Sequence, residues 1–278
     1  MTSASRSLLV LVAIMVGACS LPAVAQEGAL DPSQPKGTTP EQIIQRFAAK
    51  EKEFKQARDQ YTYRQKVTVQ TLDGNTVTGE YTETFDVIFN DQGGRVENVV
   101  FAPQSTLENG GIAISKEDLS DIRNRLPFVL TSDEIPEYSI LYVGQQQEDE
   151  LHCYVFDIAP KVIEKDKRYF QGRVWVDDHD FQIVKTFGKT VPDIRPKKGQ
   201  ENLFPKFTTW REQIDGKYWF PTFTRADDTL HFSLQSVHIR EIVKYSNYRR
   251  FGSNVKITYE GQELPKDQKK PDQQQPQK

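Results

Sequence analysis

The sequence predicts a mainly β, α+β domain: a curled antiparallel sheet, or incomplete β-barrel, of about ten strands with helices covering its concave face. Three observations predict it. Apolar residues alternate with polar ones through most of the chain, and turn residues separate the runs. A single long segment with helical period precedes them all. The chain carries 16 Phe, 11 Tyr and 3 Trp in 278 residues, enough aromatic surface for a substantial core.

The first 25 residues read as an export signal. Arg6 supplies the positive end, Leu8 to Val16 form a short apolar stretch, and Ala23-Val24-Ala25 offers a small-x-small cleavage site. Val16-Gly17-Ala18-Cys19 competes as a lipobox, in which Cys19 would be lipidated. Either way the domain lies outside the cytoplasm, with no transmembrane span in the mature form. Residues 26–38, with Pro32, Pro35 and Gly37, read as a linker.

The folded domain is expected over residues 39–262. Thr39 caps a helix with Pro40 at N1, and Gln42 completes a capping box. Ile43, Ile44, Phe47 and Phe54 share one apolar face, and the helix ends before Tyr61. The period then falls to two. Tyr61, Tyr63, Val67 and Val69 alternate with polar residues up to the turn Asp73-Gly74. Val77, Tyr81, Phe85, Val87 and Phe89 continue on the returning strand, and Arg95 to Phe101 form a third.

A short helix, Lys116 to Leu126, is expected between Ser115 and Pro127. Strands follow at Tyr138–Gly144 and His152–Ile158. A hairpin spans Tyr169–Val176 and Phe181–Phe187 around Asp177–Asp180. Residues 191–202 read as a polar loop. Phe204–Ile214 and Tyr218–Thr224 pair around Asp215-Gly216, and Leu230–Tyr245 forms a last long strand. Its alternation shifts from even to odd positions, which a bulge near Ser236 would explain. Residues 263–278 are polar, rich in Lys, Gln and Pro, and are expected to be disordered.

Chemistry-bearing motifs are sparse. No phosphate-cradling loop, nucleophile elbow or dinucleotide fingerprint is present. His152, His179, His231 and His238 lack metal-site spacing, so no metal and no cofactor is expected. Cys153 reads as a buried hydrophobe rather than a nucleophile. A net charge of −3 offers no global field for nucleic acid. No catalytic residue can be named, and a hydrolase stands as the third reading.

The surplus of strand aromatics is the positive signal, because it suits a container for an apolar ligand. The lining expected from alternation is Tyr61, Tyr63, Val67, Phe85, Val87, Phe89, Trp175, Trp210, Trp219, Phe223, Phe232 and Leu234. Which face of the Tyr169–Val176 strand points inward is open, since Val174 and Trp175 are both apolar.

The hairpin Gly172-Arg173-Val174-Trp175-Val176-Asp177-Asp178-His179-Asp180-Phe181-Gln182-Ile183-Val184-Lys185 resembles the outer-membrane lipoprotein-sorting superfamily, that of LolA, LolB and the RseB-like sensors. The segment Thr222 to Tyr245, ending in Val237-x-Ile239-x-Glu241 and Tyr245, fits its late strands. The resemblance implies a half-barrel plugged by helices, with Ile43, Ile44, Phe47 and Phe54 as plug. It implies binding of the acyl chain of a lipid or lipoprotein in the periplasm or at the outer membrane, without chemistry. The alternative under the same fold is an envelope protein–protein interaction or assembly module.

Overall fold

The structure, a computed structural model, describes residues 27–90, 94–114, 129–164, 167–192, 205–231 and 235–250. Helix α1 (Pro40–Arg58) starts at the expected cap. The Gln42 backbone N–H donates to Thr39 Oγ1 at 3.3 Å, and the Thr39 N–H donates to Gln42 Oε1 at 3.2 Å.

Ten strands follow: β1 (Tyr61–Asp73), β2 (Thr76–Phe89), β3 (Arg95–Phe101), β4 (Tyr138–Glu148), β5 (Leu151–Pro160), β6 (Tyr169–Asp177), β7 (Ile183–Val191), β8 (Phe207–Ile214), β9 (Tyr218–His231) and β10 (Ser236–Arg250). They form one sheet in the order β3-β2-β1-β10-β9-β8-β7-β6-β5-β4, and every described pairing is antiparallel. Among the described residues the sheet does not close into a barrel. This is the expected class.

The sheet curls around α1. Phe47 meets Phe156 of β5 at 5.7 Å between ring centroids. Phe54, about 10 Å further along the helix, packs with Phe220 of β9 and Tyr61 of β1. In a flat sheet, β5 and β1 would lie six strand spacings apart, about 29 Å. Two strands approach closely where Gly172 of β6 faces Gly188 of β7. A Cβ on Gly172 would lie 2.2 Å from the Phe187 carbonyl oxygen, so only glycine permits this approach.

Two readings are corrected. The stretch expected as one strand, Leu230–Tyr245, is the end of β9 and the start of β10, and Val237 pairs with Leu230 across the hairpin. The shift in alternation marks a chain reversal, not a bulge. The segment expected as a linker bridges the edge of β4 instead, through Glu27↔Glu148 and Asp31↔Gln145. The helix expected at 116–126, Cys19, Phe232, Leu234 and the terminal tail lie outside the described residues.

Candidate functional site

The concave face is built by one parity of each strand. In β5 to β8 it carries Tyr154, Phe156, Val174, Val176, Ile183 and Phe207, all buried and in one cluster with Ile43 and Phe47 of α1. Ile43, Phe47 and Phe54 are fully buried, and Ile44 is half-buried. The four expected plug residues therefore all meet the sheet.

Near its C-terminal end the helix sits on aromatic rings. Phe54 meets Phe220 edge-on at 5.1 Å, Tyr61 lies 4.7 Å from Phe220, and Tyr248 lies 4.7 Å from it on another side. Into this apolar setting α1 sends a carboxylate. Arg211 Nη1 of β8 donates to Glu51 Oε1 at 2.8 Å and Nη2 donates to Oε2 at 3.3 Å, with both side chains 1% exposed. The Arg211 guanidinium also lies 5.1 Å from the Phe54 ring. Burial pushes the Glu51 carboxyl above the ordinary glutamate range, against the opposing pull of Arg211. A buried pair adds little net stability over an apolar pair, but losing one partner strands a charge. It therefore fixes where α1 sits.

The other half of the concave face lies on β1, β2 and β10. Tyr63, Val67, Phe85 and Val87 are buried there with Val243 and Tyr245, and Phe89 packs beside them half-buried. The segment Leu107–Ile114 contributes to the cover on this side. This face is not purely apolar: Gln65 and Glu83 are also buried, and Tyr81 donates its hydroxyl to Glu83 Oε2 at 2.6 Å.

Four expected lining residues lie elsewhere. Trp175, Trp210, Trp219 and Phe223 are on the convex face, away from α1. Trp210 pairs with Lys185 and Phe223, and Trp175 pairs with Lys185, one register row outside the buried Phe207, Thr209 and Val174. The physical reason is that β5 to β9 are apolar on both sides. The N-terminal segment brings Leu30 onto the convex side, where it packs in a cluster with Cys153, Val155, Trp175, Val184 and Trp219. Alternation cannot rank two apolar faces. This settles the open parity: Val174 points inward and Trp175 outward.

The same convex region holds Lys185, 3% exposed. Its ammonium donates to Glu148 Oε1 at 2.7 Å, contacts Glu27, and lies 4.7 Å from the Trp175 ring. Beside it opens a trough of about 660 Å³, lined on one side by Arg173, Phe187, Lys189, Lys206 and Thr208. Cys153 is fully buried, and burial drives its thiol far above its ordinary range, as a structural role requires. Among the described residues no group of three His, Cys, Asp or Glu side chains could hold a metal ion.

Sequence reasoning missed Glu51, Arg211 and Lys185. Glu51 was findable, because it stands four residues after Phe47 and three before Phe54, on the buried stripe.

No family model and no curated protein matches the sequence. Solved structures similar to it include a DUF1329 family protein from Desulfovibrio piger, 15% identical over 80% of this chain and 96% of that one, with a TM-score of 0.41. A LolA superfamily protein from Nitrosomonas europaea is 13% identical over 78% of this chain and 95% of that one, with a TM-score of 0.31. The MucA/MucB complex of Pseudomonas aeruginosa is 10% identical over 76% and 99%, with a TM-score of 0.21.

Proposed function

We propose that this chain is an exported cell-envelope protein that takes the acyl chain of a lipid or lipoprotein onto its concave face, beneath α1. One observation carries the reading: helix α1 packs into the curl with the fully buried side chains Ile43, Phe47 and Phe54. An acyl chain is the apolar group able to take their place.

The magnitudes allow the exchange. Exposing three large apolar side chains costs roughly 5–9 kcal/mol, and burying about 14 methylenes of a long acyl chain returns roughly 11 kcal/mol. The Glu51–Arg211 pair would rehydrate as the helix lifts, which offsets part of its broken contact.

Native mass spectrometry of the purified chain, with titration of a fluorescent fatty acid, tests the reading. A co-purified lipid and a saturable probe site are expected. The absence of both a co-purified lipid and probe binding would refute it.

A second reading is favoured by one feature. The edge strand β3 leaves Val99, Val100 and Phe101 more than half exposed. Such an edge suits strand addition by an envelope protein partner. Crosslinking in cells would then recover a protein through β3, and β3 substitutions such as Val99→Lys would abolish the product.

A further inference from the structure

We propose that the convex face around Phe187 docks on an anionic lipid bilayer. Outward-facing residues form a continuous cross-strand row there: Leu141 of β4 pairs with Asp157, Asp157 with Arg173, Arg173 with Phe187, and Phe187 with Thr208. Leu141 is 66% exposed and Phe187 43% exposed, although both stand on regular strands. Between them Arg173 is held upright by Asp157, donating from Nε at 2.7 Å and Nη2 at 3.0 Å.

The neighbouring row adds charge. Gly188 pairs with Phe207, so Lys189 and Lys206 stand opposite each other one step further on, and both line the trough. Apolar side chains set among cations on one face are the pattern of an interfacial membrane site. The apolar groups enter the headgroup boundary, and each lysine gains from the negative surface potential.

The path of the chain points the same way. Glu27, where the described chain begins, lies in this trough against Lys185. The chain therefore enters the described domain on this face, eight residues after Cys19, the residue that the lipobox reading would lipidate. An N-terminus held in lipid would set the domain down on Phe187 and Leu141. The occupant is a bilayer and not a soluble anion, because a free anion gives the two exposed apolar side chains no role.

Cosedimentation of the full chain with vesicles tests this. Phosphatidylcholine vesicles containing phosphatidylglycerol should bind it, and pure phosphatidylcholine vesicles should bind it much less. Lys189→Gln with Lys206→Gln should weaken binding to the anionic vesicles about fivefold per lysine. Phe187→Ser with Leu141→Ser should remove the binding that survives high salt. Equal binding to both vesicle types, or no loss in either double variant while the thermal melt is unchanged, would overturn the proposal. So would displacement from vesicles by inorganic phosphate at matched ionic strength, which would identify a soluble-anion site.

Discussion

The two faces of this sheet use aromatic side chains in opposite ways. On the concave face, Phe47, Phe54, Phe156 and Phe220 exclude water, and a charged pair, Glu51–Arg211, is sealed with them. On the convex face, Trp175 and Trp210 flank the Lys185 ammonium, and Phe187 stands exposed beside Arg173 and Lys206. One face has traded solvent for a plug. The other buries Lys185 but leaves Phe187 and Lys206 in reach of water. A ligand that must be dry belongs on the first, and a charged surface belongs on the second.

The largest expected effect breaks the concave face by charge. Glu51→Ala leaves the Arg211 guanidinium buried without its carboxylate and should cost about 3–5 kcal/mol, read from the urea midpoint. Glu51→Leu with Arg211→Met should recover most of that loss. If the single variant costs less than ~1 kcal/mol, α1 does not rest on this pair.

Next comes a matched pair of phenylalanines. Phe47→Ala opens a cavity under α1 and should cost about 3–5 kcal/mol, while Phe187→Ala on the convex face should stay within ~0.5 kcal/mol. The first variant should also raise the affinity for a fatty-acid probe, since it removes part of the plug. Equal costs for the two would erase the distinction between the faces.

The reason these residues differ in legibility is physical. The helix, its capping box and the first hairpin were readable, because Tyr61, Tyr63, Val67, Phe85 and Val87 alternate with clearly polar neighbours. One buried face leaves one signal. Strands β5 to β9 bury residues on both sides, so Trp175, Trp210, Trp219 and Phe223 could not be oriented from alternation. Trp175 and Trp219 pack in one cluster with Leu30, which is far away in sequence and lies in a segment of turn-like composition. The pairing of Glu51 with Arg211 spans 160 positions, and only the fold brings those two together.

A smaller effect separates the faces by acid. Asp227 lies on the convex side among His238, Arg225 and Arg240. Partial burial works against its charged form, but hydrogen bonds from His238, Arg225 and Arg240 win and hold the carboxyl well below the ordinary aspartate range. A depressed carboxylate contributes stability that is present above the unfolded-state pKa of about 3.9 and is lost as pH falls through the lower folded value. The stability gap between wild type and Asp227→Asn should therefore hold at neutral pH and close only in strong acid. Urea melts across that range would show it, and a gap that closes near neutrality would contradict it.

The smallest signal is spectroscopic. All three tryptophans lie on the convex face. A fatty acid entering beneath α1 should leave their emission nearly unchanged, whereas anionic vesicles should shift it. The reverse pattern would exchange the roles given to the two faces.

The most direct test of the central claim is photolabelling with a diazirine-bearing fatty acid, followed by residue-level mapping of the adducts. Labels are expected on Phe156, Val174 and Phe207, inside the curl, and should fall when excess unlabelled fatty acid competes. Labels confined to Phe187, Trp210 or Leu141, or labelling that competitor does not reduce, would contradict acyl-chain binding beneath the helix.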